Sequence, residues 1–515
     1  MSYLCFLVIM IILSLVSVVF SLIAPIMVQI WSKSVEGITI YRILLLSIIM
    51  AVFMLINILF IVIKEHYSRK LNRENFFDYL KDILTLKYDY IISEGIMKIL
   101  DKTIMSVNNI YLFITGDNIK LITNSLVMLI VSSWILYINK YIFLACLIVI
   151  PINILGFSKI NKVLLEKSRN MELQVTTGWQ KVLSVISNTE YIKQKSNPDI
   201  IKNYLSDTVD TIYNSMSDVN MYSVSTSTLI SSINSIFQTV ILTYGVYNFA
   251  FVGHDYFSLM ILMILIPTFF STLSSLVGSK LNKRNFTIAK EFKENLEKMS
   301  EVYSGNNLEE IKNISFNISE LKLPTHSINV NIVGEFSKGD IIRIKGDSGR
   351  GKSTFLKSII GFRENDGIFI NGKEINSYNL LALRNKIEYM GQDAYVFQGS
   401  LEDNLFFGIE NYKDKIDSLK QDPLLKTIFS SKDLDSNIFN LGADLSGGEK
   451  QKIALARAIN SDVDILLLDE ITSSIDKESS VEIYNRIKEI SKDKIIFIIS
   501  HDDIVDNICN REILI

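Results

Sequence analysis

DIIRIKGDSGRGKSTFLKSIIG, residues 340–361, is a short apolar run, a glycine-rich loop and a helix-like stretch that stops at Gly361. A strand, loop and helix in that order bring backbone N–H groups and a helix N-terminus to one point, where an anion is favoured. Gly346, Gly349 and Gly351 let the backbone approach phosphates closely, and Asp347, Ser348 and Arg350 complete the loop between them. Lys352 is placed to reach the β- and γ-phosphates of ATP, and Ser353 to coordinate magnesium, with Thr354 beside it on the first helical turn.

A second stretch fits the first. VDILLLDE, residues 463–470, is a continuous apolar run ending in two carboxylates, the pattern of a central strand buried on both faces. Asp469 is then expected in the magnesium shell, and Glu470 as the group that polarises the attacking water. An acidic pair after a strand also serves as a helix N-cap, and the phosphate loop upstream tips the reading toward chemistry.

Leu-Ser-Gly-Gly-Glu at 445–449, continued by KQKIALARAI, separates this chain from other ATPases with a phosphate loop. Together the three motifs resemble the ATP-binding cassette (ABC) family. The resemblance implies that Ser446, Gly447 and Gly448 of one chain cover the γ-phosphate held by a second chain. It also implies a glutamine loop at Gln392, in YMGQDAYVFQGSLEDNL, as magnesium ligand and catalytic residue. Ser474–Asp476 resemble the loop after the catalytic acid, with Asp476 near nucleotide, and His501 resembles the switch histidine that donates to the γ-phosphate. Leu321-Lys322-Leu323 stands where the family usually stacks an aromatic on adenine, and Asn440 where exporters often carry a Glu. The chain ends soon after His501 without the usual final elements.

The rest of the chain is of another kind. At 515 residues, more than one domain is expected. Residues 1–280 hold long apolar runs with few charges, whereas the remainder is rich in Lys, Glu and Asp. A bilayer core needs about 20 apolar residues in helical form. The candidates are 3–30, 41–63, 121–138, 141–158, 226–249 and 257–279. The fifth is polar for a span, which suits a buried place in a helix bundle. The first has no basic n-region and no cleavage site, so it reads as a retained helix rather than a signal. With both ends in the cytoplasm, the internal loops 64–118 and 159–224 each carry eight Lys or Arg, and the outer loops hold only Lys33, Arg42 and Lys140. Both internal loops keep helical periodicity, so helices 2 to 5 are expected to extend far into the cytoplasm. Exporter-type members of the family have such loops, ending in short coupling helices. SEGIMKILDKTIMSVNNI and the stretch around SNTEYIKQKSNPD resemble those.

The expected fold class is therefore an all-α six-helix transmembrane domain, 1–303, followed by an α/β nucleotide-binding domain with a helical subdomain, 304–515, joined by a Ser-Gly-Asn-Asn linker. Net charge −3 gives no reason to expect a nucleic-acid partner. Cys5, Cys146 and Cys509 have no metal-ligand spacing and read as small apolar residues. The resemblance implies an ATPase using ATP and Mg2+ and a second half-transporter as partner, a homodimer first. Ile-, Asn- and Lys-rich usage points to a bacterial cytoplasmic membrane. A bacteriocin-like peptide is the expected cargo; a lipid or drug, or a regulatory ATPase that moves nothing, are the other readings. Ser, Thr, Asn and Gln crowd 225–239, and Thr268, Ser271, Thr272, Ser274 and Ser275 follow. They suit either a polar pathway or packing between helices.

Overall fold

A computed structural model describes residues 3–32, 39–195, 197–252, 256–323, 326–409, 412–413, 416–420, 422, 425–430, 432–439, 445–473 and 475–515. Lys33, Asn440 and Ser474 lie outside the described residues. The chain forms two units: Met1–Leu86 with Ile91–Ser300, and Lys87–Tyr90 with Glu301–Ile515.

The first unit is helical: α1 (Tyr3–Ser32), α2 (Ile40–Leu84), α3 (Tyr88–Glu94), α4 (Ile96–Leu112), α5 (Asn118–Ile138), α6 (Lys140–Ser187), α7 (Thr189–Lys195), α8 (Pro198–Val252) and α9 (Tyr256–Lys298). Residues Phe113–Asp117 form a single π-turn that joins α4 to α5 without breaking the span. Among the described residues, five helices are long and apolar enough to cross a membrane, and Tyr3–Val16 of α1 is a shorter apolar stretch. Helix α8 runs for 55 residues, about 80 Å at the α-helical rise, against a hydrocarbon core of about 30 Å. The helical periodicity of the internal loops is therefore real structure. The short α7 falls at the second expected coupling stretch. Near the first, the short helix is α3, and SEGIMKIL instead crosses Gly95, the N-cap at φ 81°, into the returning α4.

Within one chain the most buried span is α9. The fifth span is the least apolar, yet only 17% of its most apolar window is buried, against 44% for α9. Phe269, Phe270 and Leu273 of α9 pack with Val127 and Ile135 of α5, Cys146 and Val149 of α6 and Ile241 of α8. One side of α8 thus stays open in a single chain. Helices α6 and α8 approach closely at Gly178, where a β-carbon would stand 2.5 Å from Ile212 Cγ1.

The polar residues of α8 and α9 divide in two. Thr226, Ser235, Thr239, Thr268 and Thr272 each donate to the carbonyl four residues back in their own helix, which removes the cost of a hydroxyl in an apolar medium. Asn234 does otherwise. It and Asn153 of α6, each only 3% exposed, exchange hydrogen bonds at 2.9 and 3.2 Å, and Asn234 also donates to Ser274 Oγ of α9 at 3.3 Å. Asn124 of α5 donates to Ser275 Oγ at 2.7 Å. These amides hold four helices in register, the packing role. Asn153→Leu is expected to destabilise the protein by about 1–2 kcal/mol, since it leaves the buried Asn234 amide oxygen without its donor. The double change Asn153→Leu, Asn234→Leu should recover most of that loss, measured as the unfolding temperature in detergent.

The second unit has a hairpin, β1 (Asn313–Lys322) and β2 (Ser327–Ser337), then β3 (Ile341–Lys345) and α10 (Lys352–Ile359). Next come β4 (Ile368–Ile370), β5 (Lys373–Glu374), α11 (Leu380–Arg384), β6 (Ile387–Met390), β7 (Gly399–Ser400), α12 (Leu401–Phe406), α13 (Ile416–Lys420), α14 (Lys426–Phe429) and β8 (Asn437–Ile438). The unit ends with α15 (Gly447–Asn460), β9 (Ile465–Asp469), α16 (Lys477–Ile490), β10 (Ile495–Ile499) and β11 (Arg511–Leu514). Its main sheet has the order β11-β3-β10-β9-β6 and is parallel throughout, and a separate antiparallel sheet, β2-β1-β4-β5, shares its core, with Phe316 and Phe336 packed on Phe497. Every residue of β9 and β10 is buried, because Phe355 and Ile359 of α10 belong to the core on one face and Leu455, Ile483 and Tyr484 of α15 and α16 to that on the other. That double cover is why both strands read as unbroken apolar runs.

Although Lys87–Tyr90 follows α2 and includes the first turn of α3, its contacts place it in the second unit. Tyr88 stacks on Phe362 with ring centroids 5.1 Å apart, and Lys87 pairs with Glu364 at 3.0 Å.

Candidate active site

A parallel sheet with helices on both faces puts its chemistry at the carboxyl ends of the strands, and here β3, β9 and β10 deliver it. From β3 the chain enters the loop 346–351, in which Gly349 (φ 81°) and Gly351 (φ 95°) are left-handed. A side chain at either would strain the backbone. Gly346 is also needed for space, since a β-carbon there would meet the Ile515 carbonyl oxygen at 2.3 Å. Asp347, Ser348 and Arg350 are exposed on the same loop.

Lys352 is 9% exposed, and its Nζ donates to the carbonyls of Gly346 at 2.7 Å and Asp347 at 3.0 Å. An ammonium carries three protons, so one remains for a phosphate oxygen. The hydroxyl of the next residue, Ser353, lies close enough to the Asp469 carboxylate at the end of β9 to favour its ionised form. Burial raises the Asp469 carboxyl above the usual carboxylate range and the neighbouring Glu470 adds to this, while the hydroxyls of Ser353 and Tyr389 oppose it. A hydroxyl and a desolvated carboxylate side by side are hard oxygen donors that fit Mg2+, whose charge would favour the ionised acid. Ser353 and Asp469 would hold it. Thr354 follows on the same turn, its carbonyl accepting from Ser358 Oγ.

Glu470 has φ 53°, a left-handed conformation that costs a non-glycine residue about 1–2 kcal/mol. Its N–H donates to the Ile499 carbonyl of β10 at 2.9 Å, which turns the side chain out of the strand line. Gln392 Nε2 donates to Glu470 Oε2 at 2.9 Å, and His501 Nε2 lies 3.3 Å from Oε1. The three residues expected to be catalytic thus meet at one carboxylate. Gln392 keeps its amide oxygen as the one atom able to ligate a cation.

Ser446 and Asp476 have local roles that the sequence reading missed. Ser446 caps α15 in a reciprocal box, Glu449 N donating to Ser446 Oγ at 3.2 Å and Ser446 N to Glu449 Oε2 at 2.7 Å. Gly447 and Gly448 form the first turn behind it, so their N–H groups point out of the helix end. The Ser-x-x-Glu spacing is itself a cap signature, legible in the sequence. Asp476 caps α16 by accepting from Ser479 N at 2.9 Å, which holds its carboxyl below the usual range.

A supporting network was not legible. Thr472 Oγ1 donates to Asp502 Oδ2 at 2.6 Å and lies 2.9 Å from Tyr484 OH, which is 2.9 Å from Ser500 Oγ. It ties the turn after Glu470 to the turn carrying His501. Tyr389 OH donates to Asp469 Oδ2 at 3.2 Å. Where the family stacks an aromatic on adenine, Leu321 is fully buried and, with Ile328, covers the position a Gly351 β-carbon would take.

Residues 330–473 match the family model described as ABC transporter. The chain is 34% identical over 197 residues to a putative export ATP-binding/permease protein of Rickettsia bellii, covering 37% of this chain and 34% of that protein. It is 27% identical over 292 residues to a probable ABC transporter ATP-binding/permease protein of Haemophilus influenzae, covering 54% and 52%. The matches therefore span about a third to a half of these relatives' length. The structure of a bacterial Atm1-family ABC exporter with ATP bound superposes with a TM-score of 0.84 at 15% identity, over 100% of this chain and 93% of that one. Residues 330–473 thus carry the domain that the ABC transporter model describes. The chain's fold is that of an exporter-type half-transporter, helical bundle and cassette in one polypeptide.

Proposed function

We propose that this chain hydrolyses ATP to export a substrate across a bacterial cytoplasmic membrane, working as a dimer of identical half-transporters. The observation that carries the reading is the Glu470 carboxylate, set on a left-handed turn between Gln392 and His501 and next to the Asp469–Ser353 pair. Loop N–H groups and the third Lys352 proton hold the β- and γ-phosphates. Glu470 accepts a proton from water as the water oxygen bonds to the γ-phosphorus and the bond to the β–γ bridging oxygen breaks. His501 donates to the γ-phosphate oxygens, and Gln392 keeps Glu470 aimed. Ser353 and Asp469 would hold Mg2+, which when bound would offset negative charge on the phosphates.

Closing the site needs Ser446–Gly448 from the other copy. Closure then moves the helical bundle from inward- to outward-facing. Support for a second copy comes from α8, whose most apolar window is both polar for a span and largely open in one chain. A peptide is the proposed cargo. Inverted membrane vesicles holding the protein should accumulate a fluorescent peptide with ATP and stop doing so in the Lys352→Ala variant. ATP hydrolysis that no peptide stimulates, with no uptake, would leave transport of peptides without support.

A further inference from the structure

Where the apolar runs of α6 and α9 give way to charge, the two helices line an open-sided cavity of about 290 Å³. Lys280, Lys283 and Arg284 line it from α9, with Thr287 one turn on. Spacings of three and four put these side chains on one face of the helix. Phe157 and Leu165 of α6 supply an apolar wall, and Asn161 sits between them.

Among the described residues no carboxylate pairs with any of the three cations; the ion pairs Lys290–Glu294 and Arg169–Glu291 lie further along α9. Among the described residues the side-chain hydrogen bond of Arg284 is a long one, Nε to Asn285 Oδ1 at 3.3 Å, and burial lowers its guanidinium pKa. Asn161 Oδ1 is buried with no donor, and a hydroxyl or amine on the ligand would satisfy it.

We propose that this cavity binds the phosphate of an anionic lipid of the cytoplasmic leaflet, its headgroup among Lys280, Lys283 and Arg284 and its chains along the apolar spans above. Depth argues for a lipid: the cations begin at residue 280, next to the end of the apolar run 257–279, the level at which headgroups lie. The assignment rests on neither ATP hydrolysis nor the cargo.

Full-length protein in a mild detergent, titrated with fluorescent phosphatidylglycerol and followed by anisotropy, tests this. The triple variant Lys280→Gln, Lys283→Gln, Arg284→Gln should bind on the order of a hundredfold more weakly, at about fivefold per cation. The triple variant Lys290→Gln, Lys293→Gln, Lys298→Gln, which loses the same charge further along α9, should bind as the unaltered protein does. Lys280→Arg, Lys283→Arg, Arg284→Lys should retain binding, which separates lost charge from lost folding. Fluorescent phosphatidylcholine should bind weakly to all. Equal weakening by both neutralised sets would reduce the effect to net charge and overturn the site. Displacement by glycerol 3-phosphate as readily as by phosphatidylglycerol would assign the cations to a soluble phosphate and overturn the lipid.

Discussion

Glu470→Gln is expected to cut ATP hydrolysis by about a thousandfold, within the range a positioned general base contributes, and to leave nucleotide binding nearly unchanged. Glutamine has the same shape as glutamate, so the left-handed turn at φ 53° and the hydrogen bond of Glu470 N to Ile499 survive the change. What disappears is the ability to take a proton. Strain already stored at this residue is the same in both proteins, so the unfolding temperature should not move. Steady-state phosphate release against a fluorescent-nucleotide binding curve separates the two effects. A variant that still turns over within tenfold of the unaltered protein would remove Glu470 from the role of base. Asp469→Asn should differ in kind, since it takes away an oxygen donor beside Ser353 and weakens magnesium-dependent binding itself.

Why could these residues be found in the sequence, while their neighbours could not? Lys352, Asp469 and Glu470 each terminate a stretch whose pattern has one physical meaning: a glycine-rich loop opening a helix, or a strand apolar on both faces ending in acid. Residues of that kind announce themselves locally. Tyr389, Thr472, Tyr484, Ser500 and Asp502 do not, because their chemistry is a meeting of hydroxyls from β6, the turn after β9, α16 and the end of β10. No spacing along the chain encodes that meeting. The same division holds in the helical unit. Hydropathy finds the apolar runs, and periodicity in 64–118 and 159–224 foretells long helices such as the 48-residue α6. Burial within one chain escapes, because the polarity of the fifth span does not say whether its cover comes from the same chain or from a second copy. The central place belongs to α9, whose Phe269, Phe270 and Leu273 are apolar and large enough to fill the bundle. Register at the first coupling stretch escaped too: Gly95, left-handed, ends one helix where the amphipathic pattern runs on unbroken.

Two inactive chains should make an active pair. Lys352→Ala removes the ammonium that the loop carbonyls of Gly346 and Asp347 hold in place, and alone should lower hydrolysis at least a hundredfold. Ser446→Asp is the complementary change. Aspartate is as good an N-cap as serine, so α15 keeps its start, but a carboxylate now stands where a γ-phosphate of the other copy should approach. Alone it too should be nearly inactive. In a mixed dimer one site receives both lesions, and the other pairs an intact Lys352 loop with an intact Ser446 segment. Co-expression in equal amounts should therefore restore about a quarter of the unaltered rate, half the dimers being mixed and each having one of two sites whole. Sites built within a single chain would give no such recovery, because each chain carries its own lesion. Hydrolysis by the co-expressed pair that does not exceed that of either parent would break the claim that nucleotide is shared between copies, whatever the Glu470 variant had shown.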